Sequence, residues 1–379
     1  MDSNEFIDFD IGAPWGHIAC RWYGSRQVRP LLAIHGWMDN MGSFARLVPL
    51  LPGHLGVLCI ELSGHGRSSP YPAGMQYSVI EWTSIIRCVV LHFKWKRVSL
   101  MGHSFGAIAC NLYASFYGRD HVDMLIAIDL LTIPYKSSSF YINYLANSVE
   151  RMLTPTPAPK LYTADQLKNA RWGPAPSISK EQAHPLINRC VRQAPDQPEK
   201  FYIFRDSRLI HHSLFPPGTG LVRELNRRIR NIPYMVIKAS NSNFINDGFI
   251  PTFEILRKQN PAFEYHLAQG PHHVLISDPQ QLAAWIVPFI NKHRPPTRWE
   301  HPGELNNPLF QFHEVPGTHH VHLVNPELVA QHIVPFLRTH RPPKVSSWSV
   351  DGEKKLSTTE HRRQQENFFA RHVSRLSKI

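Results

Sequence analysis

Apolar and polar positions along the first 130 residues alternate between two periods. Residues 5–11 and 16–24 read as two strands joined by a Gly/Pro turn, an antiparallel ribbon. PLLAIH at 30–35 is a continuous apolar run, the signature of a strand covered on both faces. A helical stretch is expected near 42–51. Strand GVLCIEL (56–62), a helix over 78–93, strand RVSLMGH (97–103), a helix over 104–118 and strand MLIAID (124–129) follow. Strand and helix in this rhythm predict a mostly parallel sheet with helices on both faces. The rhythm breaks at Thr132. Residues 133–231 are richer in Pro and polar residues and hold no buried-strand run, so they read as a helical cap inserted over the sheet. The pattern resumes with PYMVIKAS (233–240), a helix near 248–259, strand FEYHLA (263–268) and a helix near 279–291.

An internal repeat follows. Residues 263–296 align without a gap to 310–343, with 16 of 34 positions identical. Two copies are too few for a solenoid, so 297–343 reads as a duplicated strand–His loop–helix segment. Residues 344–379 are polar and basic and read as a disordered tail or one loosely held helix. The expected domains are a core over 1–132 and 232–296, the cap over 133–231, the duplicated segment and the tail.

Of the 379 residues, 42% are hydrophobic and 11% aromatic, enough to bury a sizeable core and to exclude overall disorder. The net charge is +12, but only 18% of residues are charged and no binding motif or basic-aromatic stripe accompanies the excess. A nucleic-acid partner is therefore not expected. The five cysteines are widely spaced and read as buried thiols of a reducing compartment. Residues 1–15 lack a basic start and a long apolar run, against a secretory signal. No apolar run is long enough to span a bilayer.

The chemistry concentrates in Gly102-His103-Ser104-Phe105-Gly106, a G-x-S-x-G motif between a buried strand and a helix. Small residues two positions either side of Ser104 let the backbone turn tightly and push the hydroxyl out above the sheet, at the positive end of the following helix. His35-Gly36-Trp37 ends an earlier strand. In that position the main-chain N–H of Trp37, with that of Phe105, suits an oxyanion hole. Gly64-His65-Gly66 marks a tight loop, and no catalytic role is expected for His65.

On HGWMDN (35–40), ELSGHGRSS (61–69), MGHSFGA (101–107), AIDL (127–130) and GTHHVHLVNPE (317–327), the chain resembles the α/β-hydrolases, and within them the kraken-like group of serine hydrolase-like proteins. The resemblance implies an eight-stranded, mostly parallel sheet and a cytosolic or peroxisomal serine hydrolase, with no metal or organic cofactor. It implies that the catalytic histidine lies seven residues before a proline opening the final helix. Pro279 then points to His272, and Pro326 to His319. Copy one follows strand 233–240 through the usual crossover, which favours His272, with His319 as the alternative base. For the acid, the usual position after strand 233–240 holds Asn241, Ser242 and Asn243. Asp129 and the later Asp247 remain the two candidates.

The expected activity is hydrolysis of a carboxylic ester or thioester with an apolar acyl group, through an acyl-enzyme. His35, Trp172 and Phe204 are expected at the substrate site. The alternative is a degenerate hydrolase that binds ligands or partners. The C-terminal Ser377-Lys378-Ile379 resembles the peroxisomal Ser-Lys-Leu address, or ends so by chance. Oligomeric state is left open.

Overall fold

The computed structural model describes residues 6–296, apart from 135–136, 154–157, 171, 174–175 and 212–217, together with Gln331. The second repeat copy with His319, and Ser377-Lys378-Ile379, lie outside the described residues.

The polypeptide opens with the ribbon β1 (Phe6–Ala13) and β2 (Gly16–Tyr23), then β3 (Leu31–Ile34) and β4 (Val57–Ile60). Helix α1 (Val79–His92), β5 (Val98–His103), α2 (Phe105–Tyr117) and β6 (Val122–Ile128) complete the first half of the core. The inserted segment contributes α3 (Ser138–Leu153), β7 (Leu161–Tyr162), α4 (Ala164–Lys168), α5 (Lys180–Cys190), β8 (Val191–Ala194) and β9 (Gln197–Ile203). After α6 (Thr219–Arg227) come β10 (Tyr234–Ala239), α7 (Ile250–Gln259), β11 (Phe263–Ala268), a single turn α8 (Val274–Ser277) and α9 (Pro279–His293).

Eight strands form one sheet in the order β1-β2-β4-β3-β5-β6-β10-β11. β2 runs antiparallel to β1 and β4, and every other pairing is parallel. The central strands β3, β4 and β5 are buried at every position, which explains why they read as unbroken apolar runs. One apolar layer packs α1 and α2 against the sheet through Trp82, Ile86 and Tyr113. The opposite layer packs α5 and α9 through Leu186, Ile286 and Phe289. Such two-sided burial leaves the strand ends as the place where loops can gather functional groups.

Two sequence expectations change. The helix expected near 42–51 is a pair of short 3-10 turns, Met41–Phe44 and Val48–Leu50. Asn40 caps the first, and Pro49 and Pro52 withhold the N–H groups that a longer helix would need. The insertion is not wholly helical, because β7, β9 and β8 form a small antiparallel sheet. Its β8–β9 hairpin turns at Pro195-Asp196, a turn signal flanked by strands too polar to show as buried runs.

Candidate active site

Ser104 sits between β5 and α2 with φ 53° and ψ −124°, a strained conformation for a residue with a side chain. The packing around it explains both motif glycines. A Cβ on Gly102 would lie 2.5 Å from the Ala107 backbone, and one on Gly106 would lie 2.3 Å from the Ile34 carbonyl oxygen. No larger residue fits either place without moving β3 or α2. The turn is held by Ser104 N–H, which donates to Ile128 O at 2.9 Å, and by Ala107 N–H, which donates back to Ser104 O at 2.9 Å.

Asp129 ends β6, also in a left-handed conformation (φ 49°), and is fully buried. One carboxylate oxygen accepts from Ala239 N–H at 2.8 Å, across the β6–β10 boundary. The other lies 2.6 Å from His272 Nδ1. His272 comes from the loop after β11, and its Nε2 stands 2.9 Å from Ser104 Oγ. A carboxylate only accepts, so Nδ1 carries the proton and Nε2 is left to accept from the serine hydroxyl. Burial, the largest influence, pushes the His272 pKa down; the Asp129 bond opposes it, and nearby His103 and His273 add to the depression, giving about 4. The imidazole is thus neutral near pH 7.

The turn after β3 presses against this group. A Cβ on Gly36 would lie 3.1 Å from Ser104 Cβ. Asp39 N–H donates to Gly36 O at 3.2 Å, closing a four-residue turn around Trp37 and Met38. The Trp37 ring lies 6.3 Å from that of Phe105, and its Nε1 donates to Leu209 O. Met38 N–H donates to His65 Nε2 at 3.1 Å, so the buried His65 braces the turn.

Several expected residues stand elsewhere. His35 is fully buried; its Nδ1 bonds Gly36 O, and its Nε2 accepts from Leu62 N–H. Both ring nitrogens serve the fold, so His35 offers nothing to a substrate. Trp172 is also buried, and its Nε1 donates to Asp39 Oδ1 at 2.9 Å. Phe204 lies with the Arg192 guanidinium 3.3 Å over its ring. His35 and Trp172 are thus engaged within the fold and do not present the apolar lining expected of them. Asp247 stands exposed at the start of a 3-10 turn, and the Nδ1 side of His272 is taken by Asp129.

Three residues escaped the sequence reading: Phe244, Asp39 and His103. Phe244 stacks on His272 at 4.2 Å between centroids while 46% exposed, so it forms part of the outer face of the site. Asp39, His103 and His273 form a buried cluster beneath it. Asp39 accepts from Trp172 and from Ser43 Oγ, and lies 3.1 Å from His273 Nε2 and 3.6 Å from His103 Nδ1. Burial opposes its ionisation, but the two imidazoles outweigh burial and hold the carboxyl well below the usual carboxylate range. His103 Nε2 donates to the main-chain carbonyl of His272 at 3.1 Å. The cluster therefore fixes the backbone that carries His272. Its ligating atoms lie within 4.8 Å of one another, a donor set of the type that holds metals, but the carboxylate already has protein donors on both oxygens. The identity of Asp39, three residues after Gly36, was the available signal.

A family model described as the alpha/beta hydrolase fold matches residues 29–167. A probable serine hydrolase of Drosophila melanogaster is 30% identical over 307 residues, covering 77% of this chain and 90% of its own length. The chain belongs to the serine hydrolase-like group of the α/β-hydrolases. Human serine hydrolase-like protein 2 is 29% identical to this α/β-hydrolase over 300 residues, 75% of the chain and 93% of that protein. Among solved structures, a thioesterase domain from the curacin biosynthetic pathway superposes with a TM-score of 0.61 at 22% identity, over 75% of this chain and 99% of that one. At that identity the likeness is one of fold. The chain is accordingly a hydrolase, and no helix among its described residues is long and apolar enough to cross a membrane.

Proposed function

We propose that this hydrolase cleaves a carboxylic ester or thioester through an acyl-enzyme formed on Ser104. The observation that carries the proposal is the continuous hydrogen-bonded line from Ser104 Oγ through His272 to Asp129, at 2.9 and 2.6 Å. In the first step Ser104 Oγ attacks the substrate carbonyl carbon as His272 Nε2 takes the hydroxyl proton. Asp129 holds the imidazole in the needed tautomer and stabilises the imidazolium that forms. The main-chain N–H groups of Trp37 and Phe105 are assigned to the developing oxyanion. Collapse of the tetrahedral intermediate breaks the bond to the leaving group, which receives the proton from His272. Water, deprotonated by the same nitrogen, then releases the acid and restores Ser104.

Asp129 supplies the acidic partner whose absence at Asn241–Asn243 would favour a degenerate, non-catalytic site. The test is labelling with a fluorophosphonate, followed by a panel of esters and thioesters. Wild type should label and turn over, and Ser104→Ala should do neither while keeping its circular dichroism spectrum. A wild-type protein that neither labels nor hydrolyses any member of the panel would refute the assignment.

A further inference from the structure

Most partly buried arginines of the cap region have their donors occupied. Arg208 bonds both oxygens of Asp206 and the main-chain carbonyls of Tyr71, Pro72 and Met75. Arg189 bonds Glu61 through two nitrogens and Asp8 through a third. Arg205, just past β9, differs. Among the described residues its Nη1 donates to Met38 O at 3.3 Å, and the Trp172 ring lies 5.0 Å from the guanidinium carbon. Among the described residues no carboxylate pairs with it. Asp39 acts on it through space, and that carboxylate is already engaged by Trp172, Ser43 and His273. A guanidinium carries five N–H donors in a fork that matches a carboxylate. Partial burial works against the Arg205 charge, so the cation is held there at a cost in stability, and among the described residues one protein acceptor, Met38 O, takes a hydrogen bond from it.

Its position gives that cost a purpose. Met38 is the third residue of the turn that starts at Gly36, and Gly36 abuts Ser104. A four-residue turn spans less than about 7 Å, so this chain of contacts keeps the guanidinium within roughly 10–15 Å of Ser104. That is the reach of a short carbon chain from the scissile carbonyl.

We propose that Arg205 recognises a carboxylate of the substrate, so that the preferred substrates are anionic esters or thioesters with a carboxylate several carbons from the scissile bond. This rests on the hydrolytic reading of Ser104 and adds a charged group to the substrate class proposed there. The carboxylate belongs either to the acyl half or to the alcohol half, and matched substrates separate the two. One pair is mono-4-nitrophenyl adipate against 4-nitrophenyl hexanoate. The other is 4-carboxyphenyl hexanoate against 4-carbamoylphenyl hexanoate.

In one pair, wild type should favour the anionic member in kcat/KM by about ten- to hundredfold, as expected for a charged hydrogen bond to a carboxylate. Arg205→Gln should bring that ratio to one or below, mainly through KM, and Arg205→Lys should keep part of it. Should Arg205→Gln fail to fold, the Lys variant alone decides, because loss of the fork still lowers the ratio severalfold. A binding arm is independent of catalysis. At matched ionic strength, free adipate should raise the Tm of Ser104→Ala, and not that of Ser104→Ala/Arg205→Gln. If wild type hydrolyses nothing, the hydrolytic proposal falls and the adipate shift still judges Arg205. Ratios that ignore Arg205 in both pairs, or an adipate shift that survives Arg205→Gln, overturn the inference.

Discussion

Ser104, Asp129 and His272 come from three strand ends, and two of them, Ser104 and Asp129, hold positive φ. Strain of this kind persists only where surrounding structure over-determines it, and here the β5–β6–β10 hydrogen bonds do so. Ser104→Ala should lower ester turnover by several orders of magnitude, since nucleophile and base act as a unit. Asp129→Asn should cost about 10³–10⁴ in kcat by leaving His272 in the wrong tautomer, and Asp247→Asn, on an exposed turn, less than about twofold by the surface rule. Steady-state kinetics of the two variants checks the order, and the reverse order would move the acid to Asp247. The pH profile follows from His272. Its folded pKa lies below the usual 6.5, so the active, neutral base persists as pH falls, and kcat/KM should drop only as pH approaches about 4. An acid limb centred at or above 6.5 would contradict the buried, neutral imidazole. The same depression means that the folded protein binds fewer protons than the unfolded chain between those values. The stabilising contribution of neutral burial is then present above 6.5 and lost as pH falls toward 4.

At the scale of elements, the inserted segment is tied to the core by charge as well as by apolar contact. Arg189 of α5, 5% exposed at its side chain, bridges the fully buried Glu61 after β4 and Asp8 on β1. Replacing it with Met would leave Glu61 buried without its partner, a loss of about 3–5 kcal/mol. Urea denaturation of Arg189→Met should show it, and a change below about 1 kcal/mol would mean that the pair behaves as a surface one. The Asp39 cluster acts on another element, the loop carrying His272. Asp39→Asn should lower Tm and kcat together, with KM moving less, because the cluster holds the base and not the substrate. The strands β3 to β6 and β10 were legible from their apolar runs, and α1, α2 and α9 from their periodicity. The β7–β9–β8 sheet was not, because its strands are partly to largely exposed and carry polar residues, so no apolar run marks them.

For the whole molecule, the duplicated segment sets one question. β11 pairs with β10 in parallel register, and His272 from its following loop reaches Ser104. Copy one thus supplies the histidine that stands 2.9 Å from Ser104 Oγ, the one proposed as the base. His272→Ala should abolish ester hydrolysis, whereas His319→Ala should retain it within about twofold. Loss confined to His319→Ala would place copy two at the site. The sequence by itself determined the fold class, the elbow serine and two histidine candidates, because those signals are local. A tight strand-to-helix turn needs small residues at fixed spacing, and a buried strand needs an unbroken apolar run. Tertiary structure alone decided that Asp129, and not Asp247, faces His272, that the polar atoms of His35 and Trp172 are engaged within the fold, and that Asp39 and His103 meet behind His272. The Asp129–His272 and Asp39–Trp172 relations join positions more than a hundred residues apart along the chain, and no local period records which loops the sheet order brings together.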